Sequence, residues 1–197
     1  GSIARSLNRL GMVAYDQGDY ADANRHFEES LGLARKHGIQ EELATSTNNL
    51  GILAFSQGEM ERAARYLEET VDIGRATGER RKVATALLNL GSVAGVQNDL
   101  SRAIQYFEDA LEMCRSIGER RGVALALDNL GYAVSLRKEY DRAFSYFMES
   151  LEMARAIGDR KRLATIWQNM GHVAKDRGEM GEALDYYRQA LQQAWEI

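Results

Sequence analysis

The chain contains no proline in 197 residues, so nothing in it obliges a helix to stop. A single cysteine, Cys114, excludes a disulfide framework and a thiolate metal cluster, and that sparing use points to a reducing, cytoplasmic compartment. No apolar run approaches the ~18–20 residues that span a bilayer, and no signal-peptide pattern opens the chain, so no membrane is expected as a partner. Basic charge is not in excess: 25 Lys and Arg stand against 29 Asp and Glu, a net charge of −4. That balance argues against nonspecific nucleic-acid binding.

Motifs that carry chemistry are missing as well. There is no Gly-x-x-x-x-Gly-Lys-Ser/Thr phosphate loop, no Gly-x-Gly-x-x-Gly, no Gly-x-Ser-x-Gly elbow and no His-Glu-x-x-His. Metal ligation needs several side chains converging on one point, whereas His26, His37 and His172 have no partner spacing in common. The sequence therefore predicts no enzyme, no metal site and no cofactor. Hydrophobic residues at 45% and charged residues at 27% are ordinary for a folded chain. Gly1-Ser2 reads as a tag remnant on a fragment, followed by a single domain over 3–197.

What is present is a period of 40 residues. Leu10-Gly11 recurs as Leu50-Gly51, Leu90-Gly91, Leu130-Gly131 and Met170-Gly171. Twelve residues after each glycine stands Ala23, Ala63, Ala103, Ala143 or Ala183, and four further on Phe27, Leu67, Phe107, Phe147 or Tyr187. Twelve of the 18 glycines fall on three such columns. Apolar residues within each unit recur at steps of three and four, as in Ala103, Phe107, Ala110, Leu111 and Cys114, which predicts amphipathic helices and a buried thiol.

Each unit then reads as two helices, A at about 3–17, 41–57, 80–97, 120–137 and 160–177, and B at about 20–37, 60–77, 100–117, 140–157 and 180–196. Glycine columns end both, with Asn98 and Lys138 standing in twice; lysine tolerates a left-handed backbone poorly, so its turn is expected to differ. The Gly11 and Ala23 columns let A and B approach, while the large column of Phe27 fills the gap to the next repeat. One pair cannot bury its own apolar face, so stacking is required. The expected fold is all-α: a right-handed α-solenoid of five helix-turn-helix repeats, 3–39, 40–79, 80–119, 120–159 and 160–197, with a concave face.

The run Leu10, Gly11, Gly18, Asp19, Tyr20, Ala23, Phe27 and Ser30 resembles the tetratricopeptide repeat, and the resemblance extends over essentially the whole chain. The usual unit has about 34 residues and often a proline after helix B; this chain has 40 and none. The longer unit is similar to spindle-orientation adaptors and kinesin light chains, and to sensor regions of bacterial signal-transduction ATPases. The resemblance fixes fold better than function.

By the same resemblance, one helix A column points into a concave groove: Arg9, Asn49, Asn89, Asn129 and Asn169, preceded by Asn8, Asn48, Leu88, Asp128 and Gln168. A carboxamide both donates and accepts, matching a peptide backbone. The ladder admits two readings, a clamp on an extended segment or a set of bonds between neighbouring helices. Met12, Tyr15, Ile52 and Phe55 make the first part of the groove apolar and aromatic; Ser92, Tyr132 and Ser135 follow, then His172, Lys175 and Asp176. The apolar part is also open to a second explanation, packing against a preceding repeat.

Basic clusters mark the B-to-A turns: Arg80, Arg81 and Lys82, then Arg120 and Arg121, then Arg160, Lys161 and Arg162. They offer an edge for an acidic or phosphorylated partner, or they pair with neighbouring carboxylates. Glu79, Glu119 and Asp159 beside them are expected to cap the helices and partly neutralise the clusters. The function these features predict is a non-catalytic scaffold holding a protein or peptide segment in the groove. Two alternatives stand beside it, a sensor arm of a multidomain ATPase or transcription regulator, and self-association through apolar ends at Trp195 and Ile197.

Overall fold

The computed structural model describes residues 2–195, and among them ten α-helices and no strand. Gly1 of the expected tag remnant and Ile197 of the expected apolar end lie outside the described residues. The chain divides into two compact units, Gly1–Gln97 and Asn98–Ile197. The first holds α1 (Ser2–Asp16), α2 (Tyr20–His37), α3 (Gln40–Ser56), α4 (Met60–Thr77) and α5 (Arg80–Val96). The second holds α6 (Leu100–Ser116), α7 (Arg120–Leu136), α8 (Tyr140–Ile157), α9 (Arg160–Asp176) and α10 (Met180–Trp195). In each unit every helix packs on the next, and the A helices also touch one another, α1 with α3, α3 with α5, and α7 with α9. That arrangement is an α-solenoid of helical pairs.

Small residues set the spacing. The alanines from Ala23 to Ala183 are all but fully buried. A Cβ added to Gly131 would lie 2.5 Å from Phe147 Cε1, one on Gly51 2.7 Å from Leu67 Cγ, and one on Gly171 2.6 Å from Tyr187 Cε1. The large column thus lies on the glycine of its own repeat, where the sequence reading assigned it to the gap between repeats. It serves both places: Phe27 also joins one core cluster with Leu31, Leu50 and Leu53. Cys114 is buried, and burial, with Glu119 nearby, pushes its thiol up to about 11.

The turns follow the glycine columns with one correction. Gly38 closes α2 at φ 64°, letting Ile39 N–H reach the Ala34 carbonyl at 2.9 Å. Lys138 was expected to alter its turn, yet it takes φ 62° beside Asn98 at 60°, and its N–H bonds the Ser135 carbonyl at 2.8 Å. The turn geometry is set by the flanking helices, and the lysine accepts the strain. Asp159 caps α9 through the Arg162 N–H at 3.0 Å, and Glu119 caps α7 through the Gly122 N–H. Glu79 makes no side-chain cap, against expectation, but pairs with Lys82 of its basic cluster at 2.5 Å and so partly neutralises it as expected.

Candidate functional site

The asparagine column bonds across repeats within each unit. Asn49 Nδ2 donates to Asn8 Oδ1 at 3.4 Å, Asn89 Nδ2 to Asn48 Oδ1 at 3.3 Å, and Asn169 Nδ2 to Asp128 Oδ1 at 2.8 Å. Each rung joins positions 41 residues apart, so the A helices are tied side by side. Leu88, buried, has no acceptor to offer in its column.

The first rung sits in a buried polar network. Asn8 also donates to Ser46 Oγ at 3.0 Å; Ser46 reaches Ser30 Oγ at 2.9 Å, and Ser30 donates to the Ala4 carbonyl at 2.8 Å. Glu42, buried beside them, takes Arg5 Nε at 2.8 Å, so its charge is balanced from α1. In the second unit the equivalent places hold Asp128 and Arg162, 3.3 Å apart. Burial raises the Asp128 carboxyl above its ordinary range, opposed by the Asn169 hydrogen bond and the Arg162 charge. Arg162 Nε is itself buried with no hydrogen-bond partner.

The remaining groove candidates differ in exposure. Asn8, Asn49 and Asp128 are buried, Asn48, Asn89, Asn129 and Asn169 are half-buried, and Arg9 and Gln168 are exposed. Met12, Tyr132 and His172 are exposed, while Tyr15, Ile52, Phe55, Ser92 and Ser135 are half-buried. Tyr15 OH and Ser56 Oγ lie 2.7 Å apart, and His172 Nδ1 is 3.1 Å from Tyr187 OH. Ile52 and Phe55 stay partly exposed although α2 packs ahead of α3. Phe27 and Leu31 of α2 cover Leu50 and Leu53 more fully, each of these being 1% exposed.

The basic clusters turn partly inward. Lys82 Nζ bonds the Glu41 carbonyl at 2.8 Å, Arg121 Nε lies 3.2 Å from Asp159, and Arg162 is held by Asp128. Arg80, Arg81, Arg120, Arg160 and Lys161 lie at the surface. Between α3 and α5 a shallow depression is lined by Ala44, Thr45, Asn48, Arg81, Lys82 and Thr85.

One ladder escaped the sequence reading. On the B helices Arg62 Nη2 reaches Glu28 Oε1 at 3.5 Å and Arg142 Nη2 reaches Glu108 Oε1 at 3.2 Å, each guanidinium lying over the tyrosine four residues on, Tyr66 or Tyr146. The signal was in the period: Arg62, Arg102 and Arg142 fall 40 apart, as do Tyr66, Tyr106 and Tyr146. Among the described residues no group of three or more His, Cys, Asp or Glu is placed to hold a metal ion, and no helix is long and apolar enough to cross a membrane.

The family model for the tetratricopeptide repeat matches residues 2–76, 42–116, 82–156 and 122–194. Among solved structures, BtubC (BKLC) from P. vanneervenii superposes with a TM-score of 0.85 at 23% identity, over 100% of this chain and 81% of its own. The apo form of RapI gives 0.79 at 14% identity, over 100% and 84%. A Rap protein complexed with Competence and Sporulation Factor gives 0.82 at 16% identity, over 94% of this chain and 52% of its own. At such identities the likeness speaks for the fold. A search of the curated proteins gives no significant match.

Proposed function

The chain belongs to the tetratricopeptide repeat family, and from that premise we propose that it is a non-catalytic scaffold holding an extended peptide or partner segment on the A-helix faces of its repeats. The fold is typical of protein-interaction scaffolds. One observation carries the finer reading. Met12 and Tyr132 are exposed and Ile52 and Phe55 half-buried, in columns flanked by buried ones such as Gly51, Leu53 and Ala54. Apolar and aromatic side chains left partly open in the first two repeats suit a partner that supplies the missing cover.

The half-buried carboxamides of Asn89 and Asn129 and the exposed Gln168 beside these columns supply donors and acceptors for a backbone. The Rap protein that holds Competence and Sporulation Factor gives a precedent on this fold. In the first unit the preferred ligand is an extended segment with apolar side chains spaced to meet Met12, Ile52 and Phe55.

A displayed random-peptide library selected on the chain tests the proposal. Selected peptides should share spaced apolar residues, and Phe55→Ala and Ile52→Glu should each weaken them roughly ten-fold. Glu61→Lys, on the exposed side of α4, should leave affinity unchanged. Peptides that bind all three variants equally would overturn the assignment of the face.

A further inference from the structure

A guanidinium lies on a tyrosine in three successive B helices. Arg62 sits over Tyr66 at 5.6 Å in α4, Arg102 over Tyr106 at 5.8 Å in α6, and Arg142 over Tyr146 at 5.6 Å in α8. Arg62 and Arg142 also reach a glutamate of the B helix before them, Glu28 and Glu108. The next B helix keeps the ring and changes both of its companions. Tyr186 of α10 stands 40 residues after Tyr146, yet Glu182 stands where the arginine is due and Met148 where the glutamate of α8 is due. A carboxylate facing a thioether cannot rebuild the rung from within the chain.

The ring that loses its arginine faces a cavity. Tyr186 is half-buried, stacked on Trp167 at 5.7 Å and tilted against Phe144 at 5.9 Å. A space of about 300 Å³ is lined by Asp141, Phe144, Arg177, Glu179, Glu182 and Tyr186. Arg177 does not stand in for the missing group: Asp141 holds it at 2.9 Å and Glu179 at 3.0 Å, and it lies over Phe144. Three carboxylates thus stand against one guanidinium. Burial, with the Glu182 and Glu179 charges behind it, raises the Tyr186 hydroxyl above its ordinary range. Met148, 49% exposed, is the kind of pliant apolar side chain that covers the methylene stem of an arginine.

We propose that Tyr186 and Glu182 form a docking site for an arginine side chain of a partner protein, its guanidinium lying on the Tyr186 ring as Arg142 lies on Tyr146 and pairing with Glu182. The chain makes this contact three times with its own arginines, and that repetition identifies the occupant. A planar guanidinium suits the site better than an ammonium because it stacks on the ring while its edge meets the carboxylate. The site belongs to the B helices and stands whether or not the A-helix face holds a peptide.

Trp167 reports on the ring it stacks against, and Trp195→Phe removes the other tryptophan. In that background, at physiological salt, a capped tetra-arginine peptide should change the emission saturably, and a tetralysine peptide should bind roughly five-fold more weakly. Glu182→Arg should weaken the arginine peptide roughly ten-fold or more. Glu152→Arg, the same change of charge at an exposed place on α8, should leave it unchanged. Glu182→Arg combined with Met148→Glu rebuilds the internal rung and should raise the thermal midpoint by about 2–4 °C. Circular dichroism confirms that each variant is folded. No saturable change, equal affinity for tetralysine, equal losses from Glu182→Arg and Glu152→Arg, or a double variant no more stable than its parent would each overturn the proposal.

Discussion

Asn169 donates to Asp128 at 2.8 Å from the next A helix, and Arg162 approaches the other carboxylate oxygen at 3.3 Å. The carboxylate is buried, so these two groups supply what water otherwise would. Asn169→Ala should therefore cost about 1–3 kcal/mol of stability, read from urea denaturation. The rung between Asn89 and Asn48 joins half-buried neutral groups, and Asn89→Ala should cost less. Equal losses at the two positions would mean that burial of Asp128 does not set the strength of its rung.

The same carboxyl gives a pH dependence. Its folded-state pKa lies above the ordinary value of 3.8, because desolvation outweighs Asn169 and Arg162. The folded chain then binds this proton more readily than the unfolded chain. Its favourable contribution is fully present below the unfolded pKa and is lost as pH rises through the folded one. Asp128→Asn removes the titration, so the stability of the wild type relative to that variant should improve as pH falls from neutrality toward 3.8. Paired urea titrations over that range check it; a difference independent of pH would contradict the assignment.

Gly131 underlies Phe147, with room for a hydrogen and none for a methyl. Gly131→Val should push α7 and α8 apart and cost about 3 kcal/mol or more. A thermal midpoint equal to that of the wild type would remove the account of the Leu-Gly column.

Lys138 holds a left-handed backbone where the other A-to-B turns use glycine or asparagine. Lys138→Gly should relieve roughly 0.5–1 kcal/mol, after allowing for the freedom glycine gains in the unfolded chain. Gly178→Ala, at φ 86° in the equivalent turn, should lose a comparable amount. Chemical denaturation of both variants tests the pair together.

Cys114 is buried with its thiol pushed up to about 11, so little thiolate exists at neutral pH and reagents cannot reach it. A thiol-specific reagent should label it slowly in the native chain and rapidly in denaturant. Fast labelling of the folded chain would mean that α6 opens at this point.

Most of the fold was legible in the chain itself. Helices, turns and the Gly11 and Ala23 columns are local patterns repeated every 40 residues, and repetition separates them from chance. Lys138 was misjudged because local preference is weak against two flanking helices that fix the turn. Glu79, Glu119 and Asp159 were all expected to cap their helices and to neutralise the basic clusters; at Glu79 the pairing with Lys82 takes the carboxylate and no cap forms. Arg62 and Tyr66 were equally periodic and were passed over, since a charge on an outward face gives no sign of what it meets.

What the sequence determined by itself is the set of faces: which side chains share a helix side, and where each helix must end. Helical periodicity and left-handed turns are properties of a chain stretch and its own backbone. Only the tertiary structure decided the partners. Asn49 turns to Asn8, Lys82 to the Glu41 carbonyl and Arg162 to Asp128, each across more than thirty residues of chain. A hydrogen bond depends on tenths of an ångström between groups brought together from distant segments, and a repeat period sets the face without setting that distance.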